Sequence, residues 1–92
     1  MTTTTKKFNT FISRPLQDCS LSDVPGVGKS SLEKLFASNI DTPEKLMGIF
    51  LVSGSDPTKM KHWLVSSCLI RAKEGNTISE ALYRKMQNSM LC

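Results

Sequence analysis

Residues 22–35 read "SDVPGVGKSSLEKL" and decide the fold, because two glycines stand directly before a lysine, a serine and a helical pattern. The first candidate is a phosphate-cradling loop of nucleotide-binding proteins. That loop requires a glycine five positions before Gly28, where this chain has Asp23, and it follows a buried strand. The residues upstream, "RPLQDCSLSDVP", hold two prolines and no apolar run. A carboxylate at that position would also repel a triphosphate. What remains is a tight turn, Pro25-Gly26-Val27-Gly28, that opens a helix.

The turn has a recognisable frame. Leu21 and Val24 precede it, Val27 lies between the glycines, and Leu32, Leu35 and Phe36 follow on one helical face. An apolar-framed Gly-x-Gly between two helical segments is a helix-hairpin-helix pattern. Glycine permits positive φ and lets another backbone approach closely. The free N–H groups that begin the second helix, together with its dipole, suit one phosphate of a nucleic-acid strand. Such a contact positions the strand and reads no base. Lys29 and Lys34 add charge beside it. A mere helix–helix turn is the plainer alternative.

Outward from the hairpin the chain reads as helices. Lys6–Ser13 place Phe8, Phe11 and Ile12 at i, i+3, i+4, and Pro15 ends the segment. Residues 43–52 contain "LMGIFLV", with Asp41 or Thr42 as cap, Pro43 in the first turn and Glu44 placed for a capping box. That segment has almost no polar face, which predicts burial nearly all round and points to a partner subunit. Asp56-Pro57 begins a further helix, expected over 57–71, with Met60, Trp63, Leu64, Ser67, Cys68 and Arg71 at helical spacing. "EGN" (74–76) is expected to break it, and a capping box of Thr77 and Glu80 to start a last helix over 78–90 with Ile78, Leu82, Met86 and Met90 inward. The expected fold is all-α: a compact bundle of about five short helices containing a helix-hairpin-helix motif, in one domain over 1–92 with residues 1–5 as a mobile tail.

Composition bounds the function. The chain has 92 residues and a formal net charge of +4, a basic bias compatible with a polyanion partner. Its three cysteines, Cys19, Cys68 and Cys92, are widely spaced without a C-x-x-C, and His62 is the one histidine. No zinc cluster, Cys–His pair or carboxylate cluster emerges, so no metal, cofactor, catalytic residue or small-molecule substrate is expected. No apolar run is long enough for a signal peptide or membrane insertion. Trp63 and Cys68 read as core residues, and His62, Lys59 and Lys61 as surface.

Several further stretches carry a family likeness: the threonine-rich start with Lys6, "FISRP" (11–15), "GVG" (26–28), "KL" (34–35), "LMGIFLV" (46–52), "WL" (63–64), Cys68 and "AK" (72–73). In order and at this spacing they resemble the barrier-to-autointegration factor family, from Met1 to about Lys73. The resemblance implies a non-enzymatic homodimer in chromatin or genome organisation. It would bind double-stranded DNA by its backbone, without sequence preference, and bridge two duplexes through sites that face opposite ways. By position, the DNA contacts would be Lys6, Gly26, Gly28, Ser30, Lys34, Ala72 and Lys73, supported by Lys7, Lys29 and Arg71. The dimer and partner groove would involve Leu46, Gly48, Phe50, Leu51 and Val52. The family's partners include LEM-domain proteins of the inner nuclear membrane, and phosphorylation of its threonine-rich start releases DNA. The implied location is nucleus and cytoplasm, or, for a viral relative, with DNA in the infected cell or virion.

Three departures accompany the likeness. Lys29 adds a charge to the hairpin, Ser53-Gly54-Ser55 replace the family's paired lysines after the central helix, and the last helix, with Tyr83 and Lys85, matches loosely. A protein-interaction module that binds a LEM-like partner and has lost DNA binding is the alternative reading. A small nuclease or lyase is a third reading: no carboxylate cluster is there to hold a metal, so a lysine would have to carry its chemistry.

Overall fold

The computed structural model describes the backbone of residues 6–90, and the side chains of all of these except Lys7, Ser89 and Met90. The threonine tail and Cys92 lie outside the described residues. Among these residues five α-helices and two single turns of 3-10 helix follow in order: α1 (Lys6–Ser13), the 3-10 turns Leu16–Asp18 and Leu21–Asp23, then α2 (Lys29–Ala37), α3 (Pro43–Val52), α4 (Pro57–Ser67) and α5 (Ala72–Met90). No strand occurs among the described residues.

One core joins all the helices. Phe8 and Phe11 of α1, Leu35 of α2, Leu46 and Phe50 of α3, Met60 and Leu64 of α4, and Ile78 and Leu82 of α5 are all buried. Trp63 is half-buried and packs against that core. Phe36 is 51% exposed, so it leaves the face on which Leu32 and Leu35 pack inward.

The starts of α3 and α4 follow their caps. Thr42 Oγ1 accepts from Lys45 N–H at 3.2 Å, and Asp56 Oδ1 accepts from Thr58 N–H at 2.9 Å. With Thr42 as the cap, Glu44 falls at the second helical position, one short of where a capping box needs it. Asp41 instead pairs with Lys45 at 2.8 Å on the surface, and the Lys45 ammonium holds its carboxyl below the usual range.

The boundary between α4 and α5 departs from expectation. α4 ends at Ser67 rather than at 71, and α5 begins at Ala72 rather than at 78. Leu69, at φ 60°, turns the chain, and Ile70 N–H reaches back to Leu64 O at 3.1 Å, which buries Ile70. "EGN" continues the helix because Gly75 lies against α4: a Cβ there would meet Val65 Cγ2 at 3.6 Å and Lys61 Cγ at 3.7 Å, ordinary contacts. Thr77 is mid-helix, its hydroxyl donating to Lys73 O at 3.1 Å, and Glu80 pairs with Arg84 at 2.8 Å. Neither caps.

The C-terminal half of α5 in turn closes α1. The Lys85 ammonium, 3% exposed, donates to Phe11 O at 2.6 Å and also to Arg14 O, and lies over the Phe11 ring at 4.8 Å. Asn88 Nδ2 donates to Ile12 O at 3.2 Å. The last carbonyls of a helix need such donors, and here they arrive from a helix more than 70 residues on.

α3 is buried on one side only. Leu46 and Phe50 are fully buried in the chain's own core, so they cannot line a partner groove. Leu51 is 49% exposed and Val52 89%. Gly48 faces open space, and together with Ser38, Asn39, Ile40, Lys45, Ile49 and Val52 it lines a shallow, largely apolar groove.

Candidate nucleic-acid interface

The hairpin is built from the chain upward. Ser20 N–H donates to Asp23 Oδ2 at 2.9 Å, which fixes the 3-10 turn Leu21–Asp23. Val27 N–H then donates to Val24 O at 3.0 Å, with Pro25 second and Gly26 third in the turn. Gly26 has φ 91°, the value this kind of turn reserves for glycine. Leu21, Val24 and Val27 are buried and anchor the turn in the core. The first limb of the hairpin is therefore a single 3-10 turn.

The two glycines do different work. A Cβ on Gly26 would stand 3.0 Å from Glu74 O, Thr77 Cβ and Ile78 Cγ1, so Gly26 lets the hairpin dock on the first turns of α5. Its lack of a side chain serves packing. Gly28 has φ −93° and nothing within 4 Å of a Cβ; it is exposed and caps α2 without a side-chain bond. The positive φ expected of both glycines holds at Gly26 alone. At Gly28 extended backbone suffices, and the missing side chain leaves the first N–H groups of α2 open to approach. Leu32 N–H to Gly28 O, at 2.8 Å, is the first bond of that helix, so the amides before it have no intrahelical acceptor.

A second helix start lies beside the first. Docking through Gly26 brings the hairpin onto α5, whose opening residues Arg71, Ala72 and Lys73 are exposed. Lys34 ties the pieces together: its ammonium donates to Leu69 O at 2.9 Å, across 35 residues of sequence. Gly28, Lys29, Ser30, Lys34, Arg71, Ala72 and Lys73 thus gather around two neighbouring helix N-termini, both favourable to an anion. Lys6 is exposed on α1 and lines a groove with Thr10, Phe11, Arg14, Cys19 and Asp23, next to the 3-10 turn that leads into the hairpin. The side chain of Lys7 lies outside the described residues. Leu69 belongs to this region and was not expected there, since no glycine or asparagine marks the turn it makes.

A profile described as barrier to autointegration factor matches residues 2–89, nearly the whole chain. The chain belongs to the barrier-to-autointegration factor family. It is 28% identical over 74 residues to barrier-to-autointegration factor B of Xenopus laevis, covering 80% of this chain and 82% of the frog protein. Against the barrier-to-autointegration factor of Homo sapiens it is 28% identical over 72 residues, 78% of this chain and 81% of the human one. Membership of the barrier-to-autointegration factor family implies a DNA-binding role, and the family is non-enzymatic. Among the described residues no helix is long and apolar enough to cross a membrane, and no group of side chains could hold a metal ion.

Proposed function

We propose that this chain binds double-stranded DNA without sequence preference and bridges duplexes as a small homodimer. The observation that carries this reading is the pairing of two helix N-termini, those of α2 and α5, with Lys34, Arg71 and Lys73 around them. Open amides at Gly28–Ser30 and Ala72–Lys73 take phosphates, and the lysines neutralise their neighbours. Lys6 extends the contact along the strand from the side of α1. The residues act as one domain, and the location that suits a DNA-bridging protein is the nucleus, with a cytoplasmic pool.

The second copy docks on the outer edge of α3. Gly48, Leu51 and Val52 form an apolar margin that a chain of this size gains by covering. A LEM-domain-like partner would use the same margin and the Ser53-Gly54-Ser55 turn beside it.

The test is an equilibrium titration on two unrelated duplexes at two salt concentrations. Cations at Lys6, Lys34 and Lys73 that each neutralise one phosphate give a slope of log K against log salt of about −3 per site. Gly28→Glu sets a carboxylate where the phosphate must approach, at a position with room for a side chain. It weakens binding at least about tenfold with the helical circular dichroism unchanged. Lys73→Glu does likewise, while Lys59→Glu on the exposed face of α4 has little effect. Unchanged affinity in the first two variants would remove the hairpin and α5 from the mechanism. A strong preference for one duplex would require base readout.

A further inference from the structure

Three helices of this chain end on a residue with left-handed backbone: Asn39 (φ 66°) after α2, Gly54 (φ 90°) after α3 and Leu69 (φ 60°) after α4. Glycine and asparagine are the residues that adopt this conformation readily; leucine is not. Among the described residues the leucine side chain is not part of the core, and it is 71% exposed. Its backbone is firmly held, by Lys34 Nζ on its carbonyl at 2.9 Å and by Ile70 N–H reaching Leu64 O at 3.1 Å. A large apolar side chain therefore stands in a fixed place, beside Lys34 and two residues before Arg71, on the surface where two helix N-termini meet.

Resting on the DNA reading above, we propose that Leu69 is a further contact residue of that interface, laid against deoxyribose between the gripped phosphates. The argument is one of complementarity. A nucleic-acid strand alternates charged phosphates with sugars, and the sugar is the apolar part of that backbone. A face that meets phosphates with amides and ammonium groups meets the sugar between them with whatever lies in their midst. On this face that residue is Leu69. A ribose would bring a 2′-hydroxyl against the leucine and leave it without a partner, so the contact favours DNA over RNA.

Leu69→Gly in the full chain separates this role from a structural one. Glycine relieves the left-handed strain, so the variant melts higher than the unaltered chain. A merely structural residue would then bind as well or better. The contact predicts the opposite: affinity for a DNA duplex falls about fivefold at every salt concentration, with the salt slope unchanged, because the lost contact is apolar. Affinity for an RNA duplex of the same sequence stays as it was, which narrows the preference for DNA. Equal DNA affinity in the two proteins overturns the proposal and leaves the phosphate grip standing. Equal losses on DNA and RNA overturn the assignment to deoxyribose. A change in self-association by sedimentation, with DNA affinity unaltered, moves Leu69 to a protein contact and overturns it as well. If the unaltered chain binds no duplex at low salt, the DNA reading fails and this inference fails with it.

Discussion

Lys85 carries an ammonium where a side chain usually carries none. It is 3% exposed and closes α1 through the carbonyls of Phe11 and Arg14. Burial pushes its pKa down, with the nearby Cys19 thiol opposing. The unfolded chain therefore holds that proton at pH values where the folded chain has released it. Stability contributed at this site rises with pH between the lowered folded value and the ordinary lysine range. Lys85→Ala leaves both carbonyls without their donor and removes a buried cation, for a net loss of about 2 kcal/mol near neutral pH. It also abolishes the local rise toward alkaline pH. Denaturant melts of both proteins across that range check the pair of statements, and equal stability throughout would show that water replaces the lysine without loss. Nothing in the sequence discloses this role. An isolated lysine on a helix reads as solvated, and its acceptors lie at the far end of the chain.

At the scale of the elements, the legible parts are those whose signals are local. α1 follows from the spacing of Phe8, Phe11 and Ile12, and the starts of α3 and α4 follow from Thr42-Pro43 and Asp56-Pro57. The α4–α5 boundary was not legible, because its turn residue is a leucine and the apparent breaker, Gly75-Asn76, lies inside a helix. Packing overrides propensity there, with Gly75 buried against α4 and Gly26 seating the hairpin on the same helix. In the candidate site, Gly26, Gly28, Ser30 and Lys34 could be named from the hairpin pattern and the likeness to a family, but Leu69 could not. The two glycines that contact α5 or α4 respond oppositely to alanine. Gly75→Ala has room for the methyl and gains helix propensity, which raises stability by about 0.5–1 kcal/mol. Gly26→Ala forces a methyl to 3.0 Å from a backbone carbonyl at positive φ, which lowers stability by about 1–3 kcal/mol. Thermal melts of the two variants decide this; a shift of the same sign in both would mean that the hairpin does not sit on α5 as described.

For the molecule as a whole, the proposed assembly and the proposed bridging are separable. Gly48 faces open space in one subunit, so Gly48→Glu folds without a clash, yet it sets a charge in the margin proposed for the second copy. On the proposed reading the unaltered chain sediments as a dimer and the variant as a folded monomer. It retains binding of a single duplex but no longer links two, which a pull-down of one labelled duplex by another detects. Retained linking by a monomer would place both DNA sites on one subunit. The seating of Gly26 on α5 has one more consequence. The amides at the start of α2 belong to a turn anchored by buried Val24 and Val27, and they do not wait for a ligand to order them. Engaging a duplex then involves little folding and covers little apolar area. Calorimetry of the encounter records a heat-capacity change far smaller than that of a segment which orders as it binds.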